Sequence, residues 1–218
     1  MLSLPCLMLV TDRVLCGGAD GLAAAVEAAV SGGADAVQLR EKDPDGRSLP
    51  ASELAPLAQR LRAVTQGRAL LVVNGPLEVA VAAGADGVHL PEDAPMPPRP
   101  RRGFLVGRSV HSAEAARRAG AEGADYLIAG PIFETRSHPG VEPAGLALVE
   151  EIARAVRLPV LAIGGVTAGR VEEVVRASAS GVAVISAVLA QPAEGGAAAE
   201  ALRRALDAAW SDARAARR

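Results

Sequence analysis

The sequence predicts a single-domain α/β protein, residues 1–218, folded as a parallel (β/α)8 barrel, and three observations carry that expectation. Short, almost wholly apolar runs alternate with longer alanine-rich segments of helical spacing, as expected for strands buried on both faces by crossover helices. Eight such runs can be counted along the chain. A cadence of Gly33-Ala34-Asp35, Gly84-Ala85-Asp86 and Gly123-Ala124-Asp125 ends a helix and launches a strand each time, with glycine closing the helix and aspartate serving the tight turn. A doubly wound open sheet is the competing fold, but the regular eightfold alternation favours closure into a TIM barrel.

Taken in order, Leu7 to Val10 is the first strand, with Thr11-Asp12 at its end, and Asp20 to Ser31 is an amphipathic helix stopped by Gly32-Gly33. Ala36 to Arg40 is the second strand, and a helix from Ala51 to Gln66 follows. Ala69 to Val73 is the third, ending at Asn74-Gly75, and a short helix from Pro76 to Ala83 leads to the fourth, Gly87 to Leu90. Pro91 to Arg102 is rich in proline and arginine and reads as a loop or a degraded helix. Phe104 to Ser109 is the fifth strand, with Ser112 capping the next helix, and Tyr126 to Ala129 is the sixth. A long loop from Gly130 to Pro143 precedes a helix from Gly145 to Val156. Pro159 to Ile163 is the seventh strand, Thr167 can cap the helix after it, and Gly181 to Ile185 is the eighth, with a helix beginning at Ser186 and a final alanine- and arginine-rich helix ending near Ala213.

Composition narrows the function. The chain is half hydrophobic, carries a net charge of −2 and is poor in aromatic residues, which argues against a nucleic-acid partner. No apolar run is long enough to span a membrane, and the N-terminal residues lack a signal-peptide pattern. Cys6 and Cys16 have no metal spacing and read as reduced thiols of a cytoplasmic protein. Lys42 is the only lysine and Asn74 the only asparagine in an arginine-rich background, so each invites a reason. The alanine-rich helices offer surfaces for a homo-oligomer.

The ends of strands seven and eight lie side by side in such a barrel. Gly164-Gly165 at one and Ile185-Ser186 at the other can present main-chain N–H groups at a helix start, which is what a phosphate dianion requires. Alone, the glycines are loop punctuation; their place after strands seven and eight, where barrels commonly hold phosphate, makes Gly164, Gly165, Ile185 and Ser186 phosphate-binding candidates. Arg40, Lys42, Asn74, His89 and Ser109 also fall at strand C-terminal ends, the catalytic face.

Val37-Gln38-Leu39-Arg40-Glu41-Lys42, Gly84 to Leu90, Gly107-Arg108-Ser109-Val110-His111-Ser112, Gly123 to Tyr126 and Ala162-Ile163-Gly164-Gly165 together resemble the thiamine phosphate synthase/thiazole tautomerase superfamily. The resemblance implies a TIM barrel that binds a thiazole phosphate. The synthase branch joins a pyrimidine diphosphate to that thiazole and uses Mg²⁺ to carry away pyrophosphate; the tautomerase branch moves one proton to aromatise a carboxythiazole phosphate. Three positions depart from the synthase pattern. Asn74-Gly75-Pro76 replaces Asn-Asp-Arg, Ala94 replaces a metal aspartate with Asp93 one residue away, and Thr135-Arg136-Ser137-His138 replaces Thr-x-Thr-Lys. Without metal carboxylates, the charge on departing pyrophosphate would rest on Arg40 and Lys42 alone. Asn-Gly, Leu-Pro, Gly-Arg-Ser-Val-His-Ser and Phe-Glu-Thr match the tautomerase branch, although Pro131 stands where that branch can carry its proton-transfer histidine.

The expectation is therefore a metal-independent thiazole tautomerase without organic cofactor. A Mg²⁺-dependent thiamine phosphate synthase, with Asp93 in the metal site, is the first alternative, and a non-catalytic thiazole-phosphate-binding regulator is the second. His138, with an ordinary pKa near 6.5, and Glu134 are the proton-transfer candidates. Arg40 and Lys42 are set to clamp a carboxylate or pyrophosphate, unless Glu41 or Asp43 neutralises them. Gln38, Asn74, Ser109, Thr135 and Ser137 are candidates to contact the rest of the substrate. His89 and His111 read as structural.

Overall fold

The computed structural model describes residues 1–43, 45–135, 140 and 142–216 of the chain. Eight parallel strands close into one barrel in sequential order: β1 (Cys6–Val10), β2 (Ala36–Leu39), β3 (Leu70–Val73), β4 (Gly87–Leu90), β5 (Leu105–Val110), β6 (Tyr126–Ala129), β7 (Val160–Ile163) and β8 (Gly181–Val184), with β8 paired to β1. The strands are apolar throughout because both faces are covered. Outward side chains such as Leu7, Leu9, Val37, Leu71 and Val106 pack beneath the helices. Inward ones form a second core of Cys6, Met8, Val10, Ala36, Tyr126, Ile128, Leu161 and Ala183, with Leu2 against it.

The crossovers are α1 (Ala19–Ser31), α2 (Ala51–Thr65), α3 (Leu77–Ala82), α4 (Ala113–Glu122), α5 (Gly145–Ala155) and α6 (Val171–Arg176); α7 (Ser186–Leu189) and α8 (Gly195–Ala215) follow β8. None is long and apolar enough to cross a membrane. No helix joins β4 to β5. The proline-rich segment there is held by the buried Arg108 of β5, whose Nη1 donates to Glu92 O (2.9 Å) and Nη2 to Ala94 O (2.7 Å), while Nη1 also pairs with Glu122 (2.9 Å).

Two local expectations need correction. Ser112 does cap α4, its hydroxyl accepting from Ala115 N at 3.1 Å. Thr167 makes no capping bond with its side chain, because a 3-10 turn over Ala168–Arg170 precedes α6 and is closed by Arg170 N donating to Thr167 O. The aspartates of the Gly-Ala-Asp cadence do more than turn the chain. Asp35 Oδ2 accepts from Leu7 N (2.8 Å), Asp86 Oδ2 from Leu71 N (2.9 Å) and Asp125 Oδ2 from Val106 N (2.7 Å). Each thus satisfies the first free N–H of the preceding strand. Each also accepts from an arginine, Arg203, Arg62 and Arg99 respectively, at 2.7–2.8 Å, and Asp86 pairs in addition with Arg101 at 3.7 Å.

Candidate functional site

A cavity of about 890 Å³ opens at the C-terminal end of the barrel. Gln38, Arg40, Lys42, Asn74, Ser109, Glu134 and Thr135 line it, together with Gly164, Gly165, Ile185 and Ser186, so these eleven sequence candidates share one chamber. His138 and Ser137 lie outside the described residues.

Arg40 and Lys42 supply positive charge. Strand alternation turns Gln38 inward and carries Arg40 to the rim on the same side. Glu41 does not neutralise either cation. It is buried, accepting from Thr11 Oγ1 (2.6 Å) and Arg13 N (2.9 Å), while Thr11 Oγ1 accepts from Arg40 N (3.0 Å). Asp43 is engaged by Arg47. Neither Arg40 nor Lys42 has an ion-pair partner within 4.0 Å among the described residues. Burial lowers the pKa of Arg40 despite the nearby Asp12 and Glu41, and burial followed by the Arg40 charge lowers that of Lys42. Two undercompensated cations at one rim favour an anion between them.

At the β7 and β8 ends, the N–H groups of Gly164, Gly165, Ile185 and Ser186 have no hydrogen-bond partner among the described residues. The glycines are required, for a reason other than ligand approach. Gly164 has φ of +98° and Gly165 of +63°, and a Cβ on either would strike the β6–α5 loop, at Pro131 and Phe133 respectively. That loop is tied to the turn by Ile132 N donating to Ile163 O (2.9 Å) and Phe133 N to Gly164 O (3.0 Å). Arg170, which the sequence reading overlooked, also lines the cavity; its guanidinium lies 4.5 Å from the Phe133 ring centroid and Nη1 donates to Gly165 O at 3.0 Å. An arginine three residues beyond Thr167 was the available signal.

The floor is polar and largely self-satisfied. Asn74 Nδ2 donates to Gln38 Oε1 at 3.3 Å, which explains the lone asparagine as a partner of Gln38 at the mouth. His89 is buried beneath the rim, with Nε2 2.9 Å from Ser109 Oγ and Nδ1 3.3 Å from Tyr126 Oη. Desolvation, then Arg40 and Arg108, push its pKa down to about 3, so the ring is neutral.

Among the described residues the donors present do not fit a protein-held metal. Gly75 offers no carboxylate. Asp93, expected to substitute for the missing ligand, points outward and pairs with Arg118 at 3.2 Å. Beside Asp93 it is Glu92 that lines the cavity, as Glu134 does farther round, and Glu92 Oε2 already accepts from His111 N (2.8 Å) and lies 2.9 Å from His111 Nδ1. No group of three His, Cys, Asp or Glu among the described residues is placed to hold an ion.

A family model described as thiamine monophosphate synthase matches residues 7–188. The thiamine-phosphate synthase of Methanoculleus marisnigri is 47% identical over 192 residues, covering 85% of this chain and 88% of that protein. The one from Anaeromyxobacter dehalogenans is 46% identical over 209 residues, covering 94% and 89%. Among solved structures, thiamine phosphate pyrophosphorylase from Pyrococcus furiosus superposes with a TM-score of 0.79 at 34% identity, covering 94% of this chain and 96% of that one. These relatives overturn the tautomerase expectation and fit the synthase alternative better. Three local departures from the synthase pattern and a few short tautomerase-like motifs are outweighed by identity along nearly the whole chain. Mg²⁺ is commonly held through substrate phosphates and water with few protein ligands, so the loss of metal aspartates is a weak discriminator.

Proposed function

Because this chain belongs to the thiamine monophosphate synthase family, we propose that it joins a pyrimidine diphosphate to a thiazole phosphate, giving thiamine phosphate and pyrophosphate. One observation supports the reading beside the relatives: a single cavity is lined at one end by Arg40 and Lys42, which have no ion-pair partner among the described residues, and at the other by the amides of Gly164, Gly165, Ile185 and Ser186, which have no hydrogen-bond partner among them. Two such ends suit a diphosphate and a phosphate; a carboxythiazole phosphate would fill both as well, so the choice between the branches rests on the relatives.

In the proposed step the thiazole nitrogen uses its lone pair to attack the methylene carbon of the pyrimidine. The new C–N bond forms as the C–O bond to pyrophosphate breaks, and the leaving group departs with that electron pair. No proton is transferred, so Glu134 has no acid–base role in it. The amides of the β7 and β8 turns hold the thiazole phosphate, with Arg170 beside them. Arg40 and Lys42 bind the diphosphate and oppose the charge that grows as it leaves. Gln38, Asn74, Ser109 and Thr135 orient the rings, and holding both reactants in one chamber supplies the proximity. Mg²⁺, implied by the family, finds no fitting set of protein donors among the described residues.

The test is to incubate the protein with both substrates, in Mg²⁺ and separately in EDTA. Equimolar thiamine phosphate and pyrophosphate are expected with Mg²⁺, and Arg40→Gln is expected to lower kcat/KM by at least about a hundredfold, the scale of two lost charge-assisted bonds. Absence of turnover by the intact protein with Mg²⁺ present would sink the proposal.

A further inference from the structure

Tyr126, His89 and Ser109 form a hydrogen-bonded line from the barrel interior to its mouth. Tyr126 and His89 sit on β6 and β4, two strands apart, with β5 between them. At that height β5 carries Gly107, which is in register with both His89 and Tyr126. A Cβ there would overlap the Tyr126 ring and its hydroxyl, so the missing side chain opens the corridor through which Tyr126 reaches across. Ser109, two residues on and on the same face of β5, lies above them at the cavity wall.

The donor and acceptor pattern has one consistent solution. Tyr126 is fully buried, and the only hydrogen-bond partner of its hydroxyl among the described residues is His89 Nδ1. If Nδ1 carried the imidazole proton, the Tyr126 proton would have no acceptor, a costly arrangement in the interior. If Tyr126 instead donates to Nδ1, then Nε2 carries the proton and donates to Ser109 Oγ. Every buried group is then satisfied. The Ser109 hydroxyl, already accepting from His89, is left with its own proton facing the cavity. The neutral state of His89 is compatible with this arrangement.

We infer that Tyr126 and His89 are positioning residues that fix Ser109 as a hydrogen-bond donor, so that the site selects a ring presenting an acceptor, such as a heteroaromatic nitrogen, at that point. The inference deepens the proposed function and rests on it for the identity of the ring substrates, while the tautomer itself does not depend on that reading.

The chain has three histidines, so ¹⁵N-histidine labelling with a His89→Gln control assigns the ring directly. Long-range ¹H–¹⁵N spectra at neutral pH are expected to show His89 protonated at Nε2 alone, and a mixed population in Tyr126→Phe. Kinetically, Tyr126→Phe is expected to raise KM for one ring substrate about fivefold, with the change falling on KM rather than kcat. Ser109→Ala is expected to do the same, and the double variant to be no worse than Ser109→Ala alone. Should the protein lack synthase turnover, dissociation constants for the two ring compounds replace KM. An Nδ1-protonated ring in the intact protein overturns the inference. So does an additive double variant, or a Tyr126→Phe protein that binds both rings normally.

Discussion

Arg170 illustrates how one side chain can shape recognition without being the main ligand. It is exposed, seated on Phe133, and bonded to the carbonyl of the turn whose amides face the cavity. Replacing it with methionine is expected to weaken binding of thiazole phosphate about fivefold while leaving the unphosphorylated thiazole alcohol unchanged, as calorimetry can measure. The modest figure follows from solvent screening at an exposed cation. His89 gives a second residue-scale prediction. Its folded pKa is depressed to about 3 from an ordinary 6.5, by burial and by Arg40 and Arg108. The unfolded chain therefore takes up the proton first. Its contribution is fully present above pH of about 6.5 and is lost as pH falls toward about 3. Urea titrations across that window should show a shallower loss of stability in His89→Gln than in the intact protein.

At the scale of elements, the Gly-Ala-Asp cadence is a repeated fastening between a strand, its predecessor and an arginine. In the instance at β4, Asp86→Ala leaves Leu71 N without that acceptor and takes from Arg62 its carboxylate partner, an expected loss of about 2 kcal/mol in denaturant unfolding. A destabilisation below about 0.5 kcal/mol would show that the repeat is only turn chemistry. The β4–β5 connection shows the opposite solution. Proline excludes a helix, and Arg108 satisfies the carbonyls that a helix would have satisfied itself.

For the molecule as a whole, the mouth exists because the barrel closes between β8 and β1. Gly181 lies at that seam with Cys6 opposite it, and a Cβ would come within 2.7 Å of Cys6 N. Gly181→Ala is therefore expected to destabilise the chain by about 3 kcal/mol, an overpacking cost at a place that cannot relax without parting the strands. A normal melting temperature in that variant would mean the seam is looser than its register implies.

Strand and helix order, the unhelical segment after β4, the inward set of Gln38, Asn74 and Ser109 and the β7–β8 turns could all be read along the chain, because burial imposes a local period of two or 3.6 residues. Partnerships could not. That Glu41 turns to Thr11 rather than to Arg40, that Glu92 rather than Asp93 faces the cavity, that Arg170 reaches Gly165 and that Tyr126 passes Gly107 to meet His89 all depend on the stagger between strands far apart in sequence. Local periodicity says which face a residue takes; only closure of the cylinder decides which groups meet there.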